Sequence, residues 1–355
     1  ESNRRSEIMK TDTRKENKRK SRKYRLLILL LLMFGTGILL TTSTYAWFTS
    51  NKTVSVSTLD VTIQAQNGIQ ISVDGSNWKS IVNKTDLQGA SATYAAAINQ
   101  LPEVLEPVST GGVPDTDGLF PMFYGSIVTS TSTANNGSYI LTSTKETEAN
   151  GTTGKFIAYD LFFKVDDDSD IWITDTSGIR TTDQTDTGIK NASRIGFIVK
   201  GNTSAGSSLN TIQGLNNGTT SGAYIWEPNY NIHTPAGIAN ARDVYKITTT
   251  EDAADPLPYS GVITEITTDN DVLLGNATEE KDATKFKAVT PTYKTKAGFT
   301  HYIPAFKLTK GITKVRIYMW VEGQDVDCEN SASNGHLSFD LQITTDLPDG
   351  KATTE

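Results

Sequence analysis

The chain has 355 residues, a formal charge of −7 and one cysteine, Cys328. The acidic balance argues against nucleic acid as a partner, because phosphates call for a basic face. A single cysteine excludes an intrachain disulfide, so stability must come from a packed core or from neighbours in an assembly.

The basic residues gather at the start. Residues 1–25 form a basic n-region, densest over KENKRKSRKYR at 15–25, and residues 26–40 follow without a charge. Fifteen such residues suit the hydrophobic part of an export signal and are short for a membrane span. Thr44-Tyr45-Ala46 fits a small-x-small cleavage site, which makes 26–46 the hydrophobic and cleavage region. Ala46 is then the last residue removed and Trp47 the first of the mature chain. The alternative is an uncleaved anchor, since residues 41–47 extend the apolar run towards spanning length. Because residues 1–46 carry a formal +7, a chain beginning at Trp47 stands at −14. Such a charge suits a soluble exported surface.

Residues 47–58 read as a β-strand at the mature N-terminus. Val54 and Val56 share one parity, whereas Leu59, Val61, Ile63 and Ala65 share the other. The alternation slips by one at Ser57-Thr58, which marks a bulge or a change of partner sheet. An ordinary bulged edge strand gives this pattern. So does a strand whose first part pairs with another molecule.

Thr44-Tyr45-Ala46-Trp47-Phe48, followed after a polar gap by Val54-Ser-Val-Ser-Thr-Leu-Asp-Val61, resembles the N-terminus of the TasA/camelysin family. The resemblance covers residues 26–65 and nothing beyond them. It implies an exported protein of a Gram-positive bacterium, cut by a SipW-type signal peptidase. It also implies a β-rich subunit of extracellular fibres that lends its N-terminal strand to the next subunit. Trp47, Phe48, Val54, Val56, Leu59 and Val61 are the assembly-strand residues on this reading.

The body, residues 59–345, reads as strands parted by Thr, Ser, Asn, Asp and Gly. Ile69, Ile71 and Val73 alternate into Asp74-Gly75, a two-residue hairpin signal. The Ala-rich stretch 90–101 is the best helix candidate, closed by Pro102. Strands are expected at 119–128 and 138–142. At 156–165 both parities are apolar, so that strand should be covered on both faces. Further strands are expected at 171–173, 195–199, 224–226 and 244–247, with long polar loops at 175–193 and 201–222. Val315, Ile317, Met319 and Val321 alternate with Arg316, Tyr318 and Trp320, and Leu337, Phe339, Leu341 and Ile343 alternate with polar residues. These two segments read as half-buried strands of an antiparallel sheet, joined by 322–335. The tail, 346–355, is polar. The expected fold is all-β: an antiparallel β-sandwich or jelly roll with long polar loops and at most one or two short helices. A division into two β domains near 200–222 is the alternative.

Residues that carry chemistry are sparse. His233, His301 and His336 stand in no metal-ligand spacing, and no nucleophile elbow or phosphate loop is present. Cys328 reads as a buried side chain. Asp166, Asp168 and Asp170 offer carboxylates for a structural calcium ion, against the simpler reading of a solvated acidic turn. Asp115 and Asp117 form a weaker candidate. No cofactor and no enzymatic activity are expected. The expected function is a fibre or biofilm-matrix subunit whose partners are copies of itself, signal peptidase during export, and cell-wall or matrix components. The alternative is a monomeric surface adhesin or glycan-binding protein that uses loop aromatics such as Trp226 or Tyr230.

Overall fold

The computed structural model describes residues 56–129, 132–133, 139–181, 187–216, 223–243, 247, 257–267, 272–273, 283–295, 304–329 and 336–346. The first strands are β1 (Val56–Ala65), β2 (Gln70–Ser72), β3 (Ile81–Asn83), β4 (Val104–Leu105), β5 (Phe123–Thr129) and β6 (Tyr139–Lys145). Next come β7 (Ile157–Val165), β8 (Ser169–Ile173), β9 (Gly178–Thr181), β10 (Ser193–Thr203) and β11 (Ala223–Pro228). The last are β12 (Tyr259–Val262), β13 (Val272–Leu273), β14 (Phe286–Val289), β15 (Tyr293–Thr295), β16 (Phe306–Leu308), β17 (Gly311–Val321) and β18 (His336–Thr344). Three short helices accompany them among the described residues: α1 (Lys84–Gly89), α2 (Leu209–Gln213) and α3 (Pro235–Asp243). The chain is all-β.

Two large sheets form a sandwich. One has seven strands, in the order β16-β8-β18-β1-β3, with β4 also on β1 and β9 also on β18. The other has six, in the order β15-β11-β10-β17-β7-β2. Val61, Ile63, Phe339 and Leu341 from the first meet Tyr159, Leu161, Phe197, Ile317 and Met319 from the second in one buried core. Each such side chain contributes about 1.5–3 kcal/mol on burial, which is why period-2 apolar patterns fix these strands. The outer face of the seven-stranded sheet is polar and half-buried, with Thr62, Gln64, Ser338, Asp340 and Gln342.

The six-stranded sheet is covered on its outer face as well. Phe120, Met122, Phe156, Ile198, Tyr318 and Trp320 pack in one apolar cluster there. Tyr94, Ala97, Phe162, Ile212 and Ile312 pack in another. Edge-to-face pairs hold both, Phe120 to Tyr318 at 5.3 Å and Tyr94 to Phe162 at 5.7 Å between centroids. All eleven residues of β17 are therefore buried, and β7 is buried at every position but Lys164. The two-sided burial expected for 156–165 is present.

Several expectations need correction. The segments around 315–321 and 337–343 do not share a sheet: β17 lies between β10 and β7, while β18 pairs with β1 in the opposite sheet. The β1–β18 pairing is moreover parallel, as is β11–β15, within sheets whose other pairings are antiparallel. The helix does not span 90–101. It starts earlier because Asn83 and Asp86 form a reciprocal capping box, and a single 3-10 turn over Ala90–Ala92 ends it. Residues 99–101 are held extended, because Gln100 exchanges main-chain bonds with Ala158 at 2.7 and 2.9 Å and Leu101 N donates to Gly151 O. No break follows residue 200 either. β10 runs on to Thr203, and α2 in the supposed loop buries Ile212 against Phe162 and Ile312. The 175–193 loop contains β9, which pairs with β18. Of the strand expected at 244–247, residues 244–246 lie outside the described residues, and Ile247 is in no strand.

The turn after β2 is also wider than a two-residue hairpin. Ile71 and Lys79 close it with two 2.8 Å main-chain bonds, and Gly75 takes φ +76°, a value a side chain would strain. Asp74 organises the loop between. Its carboxylate accepts from Ser72 Oγ, Ser76 N, Asn77 N, Asn77 Nδ2 and Thr93 Oγ1 at 2.5–2.9 Å. Burial alone would raise its pKa, but these donors, Asn77 N foremost, hold it well below the usual carboxylate range. Asp74→Ala is expected to cost about 2–3 kcal/mol, read as a lower urea midpoint; an unchanged midpoint would show that the loop closes without it.

Candidate functional site

The first strand described, β1, lies inside its sheet. Ser57–Ala65 run parallel beside His336–Ile343 of β18. On the other side β4 pairs at Val56 and Ser57, and β3 pairs at Thr62 to Gln64. The register with β18 shifts between Thr58 and Asp60, close to the slip read at Ser57-Thr58. One extra residue there, Leu59, re-aims the remainder of the strand, so that Val61 and Ile63 are fully buried and Ala65 nearly so. Three assembly-strand residues thus belong to a strand paired within its own chain: Val56, Leu59 and Val61. Ala46, Trp47, Phe48 and Val54 lie outside the described residues.

The acidic candidates are ordinary turn and ion-pair residues. Asp168 Oδ1 accepts from Lys310 N at 2.8 Å, Asp170 pairs with Lys307 at 3.2 Å, and Asp167 pairs with Lys310 at 3.6 Å. Asp166 has no such partner and is exposed. Asp115 Oδ1 accepts from Asp117 N and Leu119 N, and Oδ2 pairs with Lys145 at 3.1 Å. Among the described residues no three His, Cys, Asp or Glu side chains converge as a metal site. Nor is any helix among them long and apolar enough to cross a membrane.

No protein-family model, no curated protein and no solved structure matches this chain. What the site can do must be argued from its own residues.

One constellation was not visible in the sequence. At the end of β17 the chain turns through Glu322, Gln324, Asp325, Asp327 and Cys328, all buried, against Arg194 at the start of β10. Arg194 reaches Glu227 of β11 at 2.6 Å and also Asp325, and gives Nη1 to Asn191 O and Ser193 O. Its guanidinium lies 5.1 Å from the Tyr259 ring centroid. Burial alone would lower the Arg194 pKa, but Glu227 and Asp325 outweigh it and hold the cation. Glu322 accepts from Trp320 Nε1 at 3.0 Å and Gln324 N at 3.1 Å, yet burial pushes its pKa up to about 7. Asp327 accepts from His233 Nδ1 at 2.7 Å and Thr234 N at 2.8 Å, and burial raises it too.

This arrangement is a clamp. It ties β10, β11, the turn after β17, the segment leading into α3 and α3 itself, whose Asn240 Nδ2 donates to Val326 O at 2.9 Å. Cys328 is fully buried and burial pushes its thiol up, so it stays protonated and is not an activated nucleophile. Two expected loop aromatics change standing. Trp226 is in β11, 1% exposed and part of the main core, and cannot face a glycan. Tyr230 is half-buried just after β11.

Proposed function

We propose that this chain is the structural subunit of an extracellular filament, polymerised by lending the residues ahead of β1 to a neighbouring subunit. The observation that carries the reading is the position of β1. The strand nearest the export signal is interior to its sheet, flanked by β18 and by β3 and β4. A chain that enters the fold there has its strand direction set at Val56. Residues 47–55 then extend it by nine, about 30 Å at 3.3 Å per residue, enough to run the length of one strand in a partner's sheet. Main-chain hydrogen bonds would supply the affinity, and the alternate side chains Phe48 and Val54, with Trp47 at the tip, would set the register.

Secretion, cleavage after Ala46 and a Gram-positive source belong to the same proposal and rest on residues 15–65 of the sequence. The test compares chains starting at Trp47 and at Val56, the second keeping all of β1. Sedimentation velocity should show the longer chain as polymer and the shorter as a folded monomer with the same urea midpoint. Two monomers, or two polymers, would overturn strand donation.

A further inference from the structure

A second site lies on the outer face of the six-stranded sheet, in the stripe that separates its two apolar clusters. The stripe is charged because four neighbouring side chains on three adjacent strands carry ions. Asp160 of β7 stands directly opposite Arg316 of β17, Lys314 is two residues along the same strand, and Lys200 occupies the bulge of β10 between Val199 and Gly201. All four are at most 7% exposed. Three of them are balanced with the help of Glu148. Asp160 takes Lys314 at 3.2 Å and Arg316 at 3.3 Å, and Arg316 and Tyr318 both bond Glu148. Lys314 also donates to Tyr94 Oη at 2.7 Å.

Lys200 is the exception. Its Nζ donates to Asp117 O and Gly118 O at 2.9 Å each, and among the described residues no carboxylate lies within ion-pair distance of it. A third N–H is left over. Arg316 likewise keeps a buried Nε–H with no acceptor. Burial lowers the Lys200 pKa, and Lys314 and Arg316 add to that against the raising effect of Asp160 and Glu148. A buried cation without a direct ion-pair partner is costly. Beside it opens a cleft of about 390 Å³, lined by Lys200, Lys314, Arg316, Tyr94, Asn216 and Leu119 among others.

We propose that this cleft binds a hydroxylated carboxylate of the size of a uronic acid, whose carboxylate supplies the missing counter-ion of Lys200. The volume lies in the range of small-ligand sites. The cations receive the acid group, the remaining lone pairs of Glu148 and Asp160 accept sugar hydroxyls, and Leu119 with Ala96 and Ile98 offers apolar contact to the ring. The inference does not depend on filament formation.

Calorimetric titration of the purified protein with glucuronate, glucose, acetate and a polyuronate tests it. Glucuronate is expected to bind at least tenfold more tightly than either glucose or acetate. Polyuronate binding no tighter per residue than glucuronate identifies the free sugar acid as sufficient, and tighter binding identifies the polymer. Lys200→Met should lose glucuronate binding at least tenfold. Should that variant fail to fold, Asn216→Trp, at an exposed position on the cleft wall, should block the site while leaving the urea midpoint unchanged. Equal binding of glucose and glucuronate, no binding of any of the four, or undiminished binding by the foldable variant would each overturn the assignment.

Discussion

Arg194→Ala is expected to destabilise the fold by about 3–5 kcal/mol, a large share of the 5–15 kcal/mol typical of a folded protein. The residue is fully buried between Glu227 and Asp325, themselves 7% and 5% exposed. Its removal takes the Arg194 cation away from two carboxylates in the protein interior, and strands two main-chain carbonyls, of Asn191 and Ser193. The loss comes from the abandoned carboxylates more than from any net worth of the ion triad. A compensated variant separates the two. Arg194→Met combined with Glu227→Gln and Asp325→Asn should recover most of the stability, as measured by urea unfolding. A single variant within about 1 kcal/mol of the parent would show that the clamp does not hold β10 to the turn after β17.

Stability should also fall as pH rises from about 4.5 to above 7, because of Glu322. Its folded pKa is raised to about 7 from 4.5, so the folded state holds the proton more tightly than the unfolded state does. The stability it contributes is complete below the unfolded value and is lost as pH climbs through the folded one. The full change is about 3 kcal/mol. Asp327, also raised by burial, acts in the same direction. Asp74, Asp86 and Asp115 are lowered by their hydrogen bonds and, for the last two, by Lys79 and Lys145. Their contributions are present above 3.8 and disappear only on further acidification, so the two effects occupy separate windows. Urea midpoints at pH 4.5, 6 and 7.5 should decline for the parent and much less for Glu322→Gln. Parallel curves for the two proteins would contradict the assignment.

Much of the sandwich was legible from local pattern. Strict alternation at Leu337, Phe339, Leu341 and Ile343 reflects a strand with one polar face, and the doubly apolar run at 156–165 reflects one with none. The slip ahead of Leu59 located a bulge to within a residue or two. What escaped was decided by contacts far apart in the chain. Arg316, Tyr318 and Trp320 look like a solvent face, yet they are covered by Phe120, Phe156 and Glu148, which reach them from elsewhere in the chain. The parallel pairing of β1 with β18 joins residues almost 280 positions apart and leaves no trace in either strand. The capping box of α1 was within reach, since Asn83 and Asp86 stand at the required spacing. The alanines at 95–97 drew the helix too far downstream, where bonds from residues 99–101 hold the chain extended. The buried cations were the least visible, because Arg316 reads as the opposite parity of its strand and Arg194 and Lys200 fall just outside the strand expected at 195–199.

Electron cryomicroscopy of filaments grown from the chain starting at Trp47 would show where residues 47–55 lie. Strand donation places them as a strand in a sheet of the neighbouring subunit, continuous with β1 of their own. Filaments in which those residues pack on their own subunit, or contacts between subunits made without them, would contradict it.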